Sequence, residues 1–363
     1  MSTLAQRIGD AVAAIRLVDT HEHLLSEEER NRAAVDFGYL FPHYASSDLV
    51  SAGMSPAQLE AVRLNSRPVL SERIDRIGWI RRLPPLPAPA RSDLSPEERW
   101  NAFAPFWEQT RTTGYGQCLR IAIRDLFDVE DLNAATHVKL SAAIAASRRT
   151  GWYRHVLRDR ARIDIGVLDD YRTDVDRELF VPVIRLDHFA CPTCRADLAS
   201  IEADTGRSVH GVDDLVQAMQ ASLERGLREG AVGIKIGIAY RRSIRFERTS
   251  RADAERVFDA LFGHLGEGPS WQESRPLQDY LFHQIVRAAV ERDVPIQIHT
   301  GLLEGNGNLL ENSNPLHLSG LCLEYRKAKI DLFHGGYPYL GEALALAKAF
   351  PGVHLDLCWL HVV

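Results

Sequence analysis

Val18-Asp-Thr-His21-Glu-His23, Val232-Gly-Ile-Lys235-Ile-Gly-Ile238, Ile296-Gln-Ile-His299 and Leu332-Phe-His334 share one grammar. Each is a short apolar run that ends in, or is interrupted by, an ionisable side chain. Runs this short and this apolar read as buried strands of a parallel sheet. Further runs at 163–168, 180–186 and 353–357 continue the pattern, with the first strand at 17–20. Amphipathic segments at 211–229, 279–292, 316–328 and 340–349 lie between the later runs and read as helices. Strand–helix alternation predicts an α/β fold, here a TIM-type (β/α)8 barrel. Seven strands are legible, and the chain reaches Val363 without an eighth. The expected architecture is therefore a barrel that stops before its last unit.

Residues 25–160 lack the strand pattern. They carry helical stretches at 96–110 and 131–148, and a proline-rich break, Leu83-Pro-Pro-Leu-Pro-Ala-Pro89. The organisation read from this is three-part: residues 1–24 with an N-terminal helix and the first strand, a mostly helical insertion over 25–160, and the rest of the barrel over 161–363. The 363-residue chain, 45% hydrophobic and 25% charged, has the balance of a globular protein with a large core. Lys and Arg number 43 against 49 Asp and Glu, giving a net charge of −6. That argues against nucleic acid as a partner. No run approaches the length of a membrane span, and the N-terminus lacks a signal-peptide pattern, so a cytoplasmic location is expected. Five cysteines are too scattered for a disulfide framework. Cys191-Pro-Thr-Cys194 has no second pair to complete a zinc site and reads as a reduced pair in a loop.

The histidines carry the chemistry. Residues two apart on a strand face the same way, so His21 and His23 project together and Glu22 projects opposite. Two imidazoles on one face can chelate a divalent ion, with His299 and His334 approaching from other strand ends. Imidazole suits zinc and several other transition metals. Lys235 interrupts a buried strand, and Gly233 and Gly237 leave room on its face. It is open to three readings: a carboxylated lysine bridging two metals, a cation facing substrate, or a side chain snorkelling to the barrel mouth. Arg241, beside Arg242, is a candidate for holding an acidic substrate, and His188 a candidate substrate or supporting group. The glycine-rich segment 301–308 follows His299 and reads as a mobile active-site loop, not as a nucleotide phosphate loop.

Val18-Asp-Thr-His-Glu-His23, Gly233-Ile-Lys-Ile236, Ile296-Gln-Ile-His-Thr-Gly301 and Leu332-Phe-His-Gly335 together resemble the amidohydrolase superfamily. The branch they resemble is amidohydrolase-2, with its uronate-isomerase-like and glutamine-synthetase-fused members. The resemblance covers 16–24 and about 163–359. It implies His21, His23 and His299 as metal ligands, His334 and Lys235 as catalytic groups, and a divalent metal, foremost zinc. The family also implies an aspartate on an eighth strand as general base. Asp356, in the seventh strand, does not match that position. The expected activity is metal-dependent hydrolysis of a C–N or C–O bond in a small polar or acidic substrate. The alternatives are uronate-type aldose–ketose isomerisation and a non-catalytic barrel scaffold. No membrane partner is expected, and a homo-oligomer is compatible with the class. An open barrel edge predicts poor solubility or swapping.

Overall fold

The computed structural model describes residues 2–33, 35–63, 94–263 and 270–362. Seven strands form one sheet: β1 (Leu17–Glu22), β2 (Ile163–Leu168), β3 (Phe180–Arg185), β4 (Gly233–Ile236), β5 (Ile296–Ile298), β6 (Ile330–Leu332) and β7 (Val353–Leu355). Their order in space is their order in the chain, and every neighbouring pair is parallel. The sheet curls. The Gln297 Nε2 on β5 reaches across the interior and donates to the Thr20 carbonyl on β1 at 3.1 Å. The fold is an incomplete (β/α)8 barrel whose sheet ends at β1 and β7.

Register explains the composition of the central strands. Ile234, Ile296 and Ile330 lie side by side, as do Ile236, Ile298 and Leu332, and all six are buried. These rows belong to the core that includes residues of the helices Val212–Arg228 and Trp271–Glu291. The row between them, Arg185, Lys235, Gln297 and Asp331, is also in register. Period-two alternation turns that row the other way, into the barrel. A lysine in an isoleucine-rich strand is thus an inward position between two outward ones.

Among the described residues, 25–160 contain no strand. The helices Pro96–Thr110, Gly114–Phe127 and His137–Ala146 pack about their own core of Phe37, Phe41, Phe103, Trp107, Leu132 and Leu140. Ser95 and Glu98 form a reciprocal cap at the start of the first of these, with Pro96 at its first position. The proline-rich stretch 83–89 lies outside the described residues.

Several elements differ from expectation in extent. The first strand runs on to Glu22, so His21 lies inside it and His23 just beyond. β4 to β7 are shorter than their apolar runs, because the backbone leaves the ladder for tight turns at their ends. The helix expected at 279–292 begins at Trp271, where Ser270 and Glu273 cap each other. The segment expected as a helix at 316–328 is a 3-10 turn, Pro315–Leu318, followed by a short helix, Ser319–Glu324. The amphipathic helix Leu4–Ala13 buries none of its residues.

The loop after β5 is locked onto the turn after β6. Thr300 Oγ1 donates to the Phe333 carbonyl at 2.7 Å. Gly301 has φ +70, and a Cβ there would collide with the Gly336–Tyr337 backbone. Gly307 also has positive φ, +84, but faces open space. We expect Gly301→Ala to cost about 3 kcal/mol, from left-handed strain plus overpacking, and Gly307→Ala only about 1 kcal/mol. Midpoints of urea unfolding for the two variants measure the difference.

Candidate metal centre

His21, His299 and His334 approach one another at the C-terminal ends of β1, β5 and β6, with His23 against His21. The His21 and His23 ring centroids are 4.4 Å apart, His299 and His334 are 4.5 Å apart, and His21 and His334 are 6.2 Å apart. One nitrogen each from His21 and His23 and one oxygen of Asp169 lie within 4.8 Å of one another. Two imidazoles and a carboxylate are a fitting donor set for a zinc-like divalent ion. His299 is not in this group of three. Its ring reaches it through His334.

Backbone carbonyls can only accept, and this fixes several imidazole tautomers. His23 Nδ1 donates to the Asp169 carbonyl at 2.7 Å, leaving Nε2 as the lone-pair nitrogen. His299 Nε2 donates to the Leu302 carbonyl at 2.8 Å, leaving Nδ1. His334 Nδ1 donates to the Cys358 carbonyl at 3.0 Å, leaving Nε2. His21 Nδ1 and His334 Nε2 are buried and have no hydrogen-bond partner among the described residues. Orphaned buried nitrogens of this kind call for a ligand.

Burial, with Lys235 and Arg185 beside it, keeps the imidazoles of the cluster neutral. Arg185 pairs with both oxygens of Asp169 at 2.7 Å. Burial would raise the Asp169 carboxyl, but that guanidinium holds it well below the usual carboxylate range. Lys235 is wholly buried, and its Nζ sits 3.3 Å from the centroid of the Phe333 ring without a hydrogen-bond partner. Burial lowers its ammonium to about 8, against the pull of Asp169. Burial, then Lys235 and the neighbouring imidazoles, push His21 well below its ordinary value. Burial and then His334 do the same to His299. His334 falls to about 4, chiefly through burial. Neutral imidazoles are the form that binds metal.

His188 turns to Asp204, with Nε2 3.7 Å from Oδ2, and packs its ring on Phe189. Its neighbour Asp187 is the inward residue, accepting the Gly237 N–H at 2.5 Å. Arg241 is half-buried in the turn after Tyr240. Arg242 is the enclosed one, donating to Asp279 at 2.6 Å and Gln278 at 3.0 Å. Asp169 and Arg185 were not singled out in the sequence. Each ends or directly follows an apolar run, in Val167-Leu-Asp169 and Val183-Ile-Arg185. The strand-end reasoning applied to histidine would have found them had it been extended to other ionisable residues.

The fold is thus an open parallel barrel with an ionisable cluster at its C-terminal strand ends. Its second half, residues 197–363, matches the family model described as Amidohydrolase, and the chain is amidohydrolase-like over that segment. It is 37% identical over 134 residues to Protein fluG of Emericella nidulans, a stretch covering 35% of this chain and 15% of fluG. The fold resembles glucuronate isomerase from Caulobacter crescentus, with TM-score 0.68 and 17% identity over 94% of this chain and 73% of that one. It also resembles uronate isomerase from Thermotoga maritima, with TM-score 0.65 and 15% identity over 97% and 77%. No helix among the described residues is long and apolar enough to cross a membrane.

The His334 environment has a pH signature. Between pH 6.5 and about 4 the unfolded chain takes up a proton at this imidazole and the folded chain does not. Stability therefore falls as pH falls through that window. Asp331, raised to about 7 by burial and then by Asp356, works in the opposite direction and is common to wild type and variant. We expect wild type to lose about 3 kcal/mol relative to His334→Asn between pH 7 and 4, read from denaturant melts across pH.

Proposed function

We propose that this chain is a metal-dependent hydrolase acting on a C–N or C–O bond of a small polar or acidic substrate. The observation that carries the reading is the convergence of His21, His23 and Asp169 on one position, with His334 and His299 beside them. His21, His23 and Asp169 would hold the ion, foremost zinc, with His299 a further ligand if its Nδ1 turns to the same centre. A bound divalent ion supplies Lewis acidity and lowers the pKa of water. Arg185 orients Asp169 through both oxygens and shares its charge with the site. His334 presents Nε2 as a lone pair, so it accepts a hydrogen bond from a substrate hydroxyl, amine or water. A lone-pair nitrogen cannot donate, so in this tautomer Nε2 of His334 would not stabilise an oxyanion. Lys235 and Arg185 make the inner wall cationic, which suits an acidic substrate. Arg241 remains a candidate for the substrate's outer end, whereas His188 faces Asp204 and is better suited to support.

A second reading is uronate-type aldose–ketose isomerisation. The whole-chain likeness in fold to two uronate isomerases favours it, and the cationic wall would serve a uronate carboxylate equally well.

Elemental analysis of the purified chain tests the centre. About one zinc, manganese or iron per chain is expected, with at least tenfold less in the His21→Ala/His23→Ala double variant. Amides, lactones and uronates then separate hydrolase from isomerase by their products. Metal-free protein in both samples would leave a non-catalytic scaffold as the better reading.

A further inference from the structure

The turn after β7 holds the turn after β6. His334 sits in the left-handed region, with φ 60, a conformation that a non-glycine residue keeps only when its surroundings enforce it. Three backbone groups of the neighbouring turn supply that enforcement. Asp356 N–H donates to the Leu332 carbonyl at 2.9 Å, and Gly335 N–H donates to the Asp356 carbonyl at 2.7 Å. His334 Nδ1 donates to the Cys358 carbonyl at 3.0 Å. The Cys358 carbonyl faces the ring because the chain folds back at Asp356. There the side-chain Oδ1 accepts the Cys358 N–H at 2.6 Å, an Asx-type turn that closes two residues on. Asp356 is itself buried, and the Cys358 thiol, 3.4 Å from His334 Nδ1, is held protonated by burial and the adjacent carboxylate.

We propose that Asp356 is the positioning residue for His334: its Asx turn presents the Cys358 carbonyl that fixes the imidazole as the Nδ1–H tautomer with Nε2 aimed into the metal centre. Asp356 acts on His334 through backbone geometry, its Oδ1 closing the turn. The role is distinct from that of an eighth-strand aspartate. It rests on the reading above only in taking His334 to face the substrate.

The turn makes a sharp chemical distinction. Asparagine keeps an acceptor oxygen at the same reach, so Asp356→Asn preserves the Asx turn. Alanine removes the acceptor. Glutamate keeps the charge but moves the acceptor one methylene outward. The first measurement is the tautomer of His334 in the full-length chain, from side-chain ¹⁵N shifts in long-range ¹H–¹⁵N spectra, assigned by comparison with His334→Asn. Wild type, Asp356→Asn and Cys358→Ala are expected to show Nδ1–H. Asp356→Ala and Asp356→Glu are expected to show mixed or Nε2–H imidazole. If the alanine variant fails to fold, the glutamate variant carries the same comparison. A wild-type Nε2–H tautomer, an unshifted tautomer in the glutamate variant, or an asparagine variant that behaves like glutamate, would each overturn the proposal.

Turnover on whichever of the amides, lactones and uronates the chain accepts supplies the second readout. We expect kcat to fall about 10- to 100-fold in Asp356→Ala, with KM nearly unchanged and metal content retained, and to recover in Asp356→Asn. If His334→Asn leaves turnover intact, the functional reading of His334 fails while the tautomer result stands on its own.

Discussion

A parallel strand buried on both faces must satisfy two environments at once, and the pleat of the sheet assigns alternate residues to each. In β3 to β6 the rows on either side of the polar row are isoleucine and leucine: Ile184, Ile234, Ile296 and Ile330 on one side, Ile236, Ile298 and Leu332 on the other. The inner row is Arg185, Lys235, Gln297 and Asp331. A slip of one residue would turn two cations and a carboxyl group into an apolar helix–sheet interface. Unpaired charges there are costly enough to forbid the alternative register. The polar row therefore fixes the sheet register, and with it the height at which every strand-end residue emerges.

That row also sets the electrostatics above it. Arg185 is answered by Asp169, and Gln297 ties β5 to the Thr20 carbonyl of β1. Among the described residues Lys235 Nζ has no hydrogen-bond partner and lies over the face of Phe333, which is also the ring that packs against His21 at 4.6 Å. Its positive charge adds to the burial that keeps the imidazoles neutral. Structural and chemical demands coincide, since the interior that excludes protonated histidine is the interior that leaves lone pairs for an ion.

The helical segment before β2 reaches the histidine cluster through Tyr44. The Leu302 carbonyl that accepts His299 Nε2 also accepts the Tyr44 hydroxyl at 3.4 Å. Tyr44 stacks on Tyr115, and Trp359 from the turn after β7 packs on both. Asn306 donates to the Ser47 carbonyl at 3.3 Å and to Ser51 Oγ at 3.0 Å. The glycine-rich segment, which reads from sequence as a mobile active-site loop, carries hydrogen bonds near its start at Leu302 and in its middle at Asn306. Its positive-φ glycines serve close packing at Gly301 and an open bend at Gly307.

The sequence by itself determined the class of fold and the part of it where chemistry gathers. Both follow from local, periodic constraints: short apolar runs can be buried only as parallel strands, and ionisable residues tolerated at their ends mark the open face of the barrel. His21 and His23 were legible as a pair because a strand has a fixed period of two. Tertiary structure decided what no period encodes. Asp169 joins that pair because β2 lies beside β1 although 140 residues separate Glu22 from Ile163. Which nitrogen of each histidine is offered depends on carbonyls of Asp169, Leu302 and Cys358, all from separate turns. His188, a candidate by its place after a strand, turns instead to Asp204 from the short helix after β3. Direction after a strand ends is set by turn geometry and by long-range hydrogen bonds, and those exist only once the chain has closed on itself.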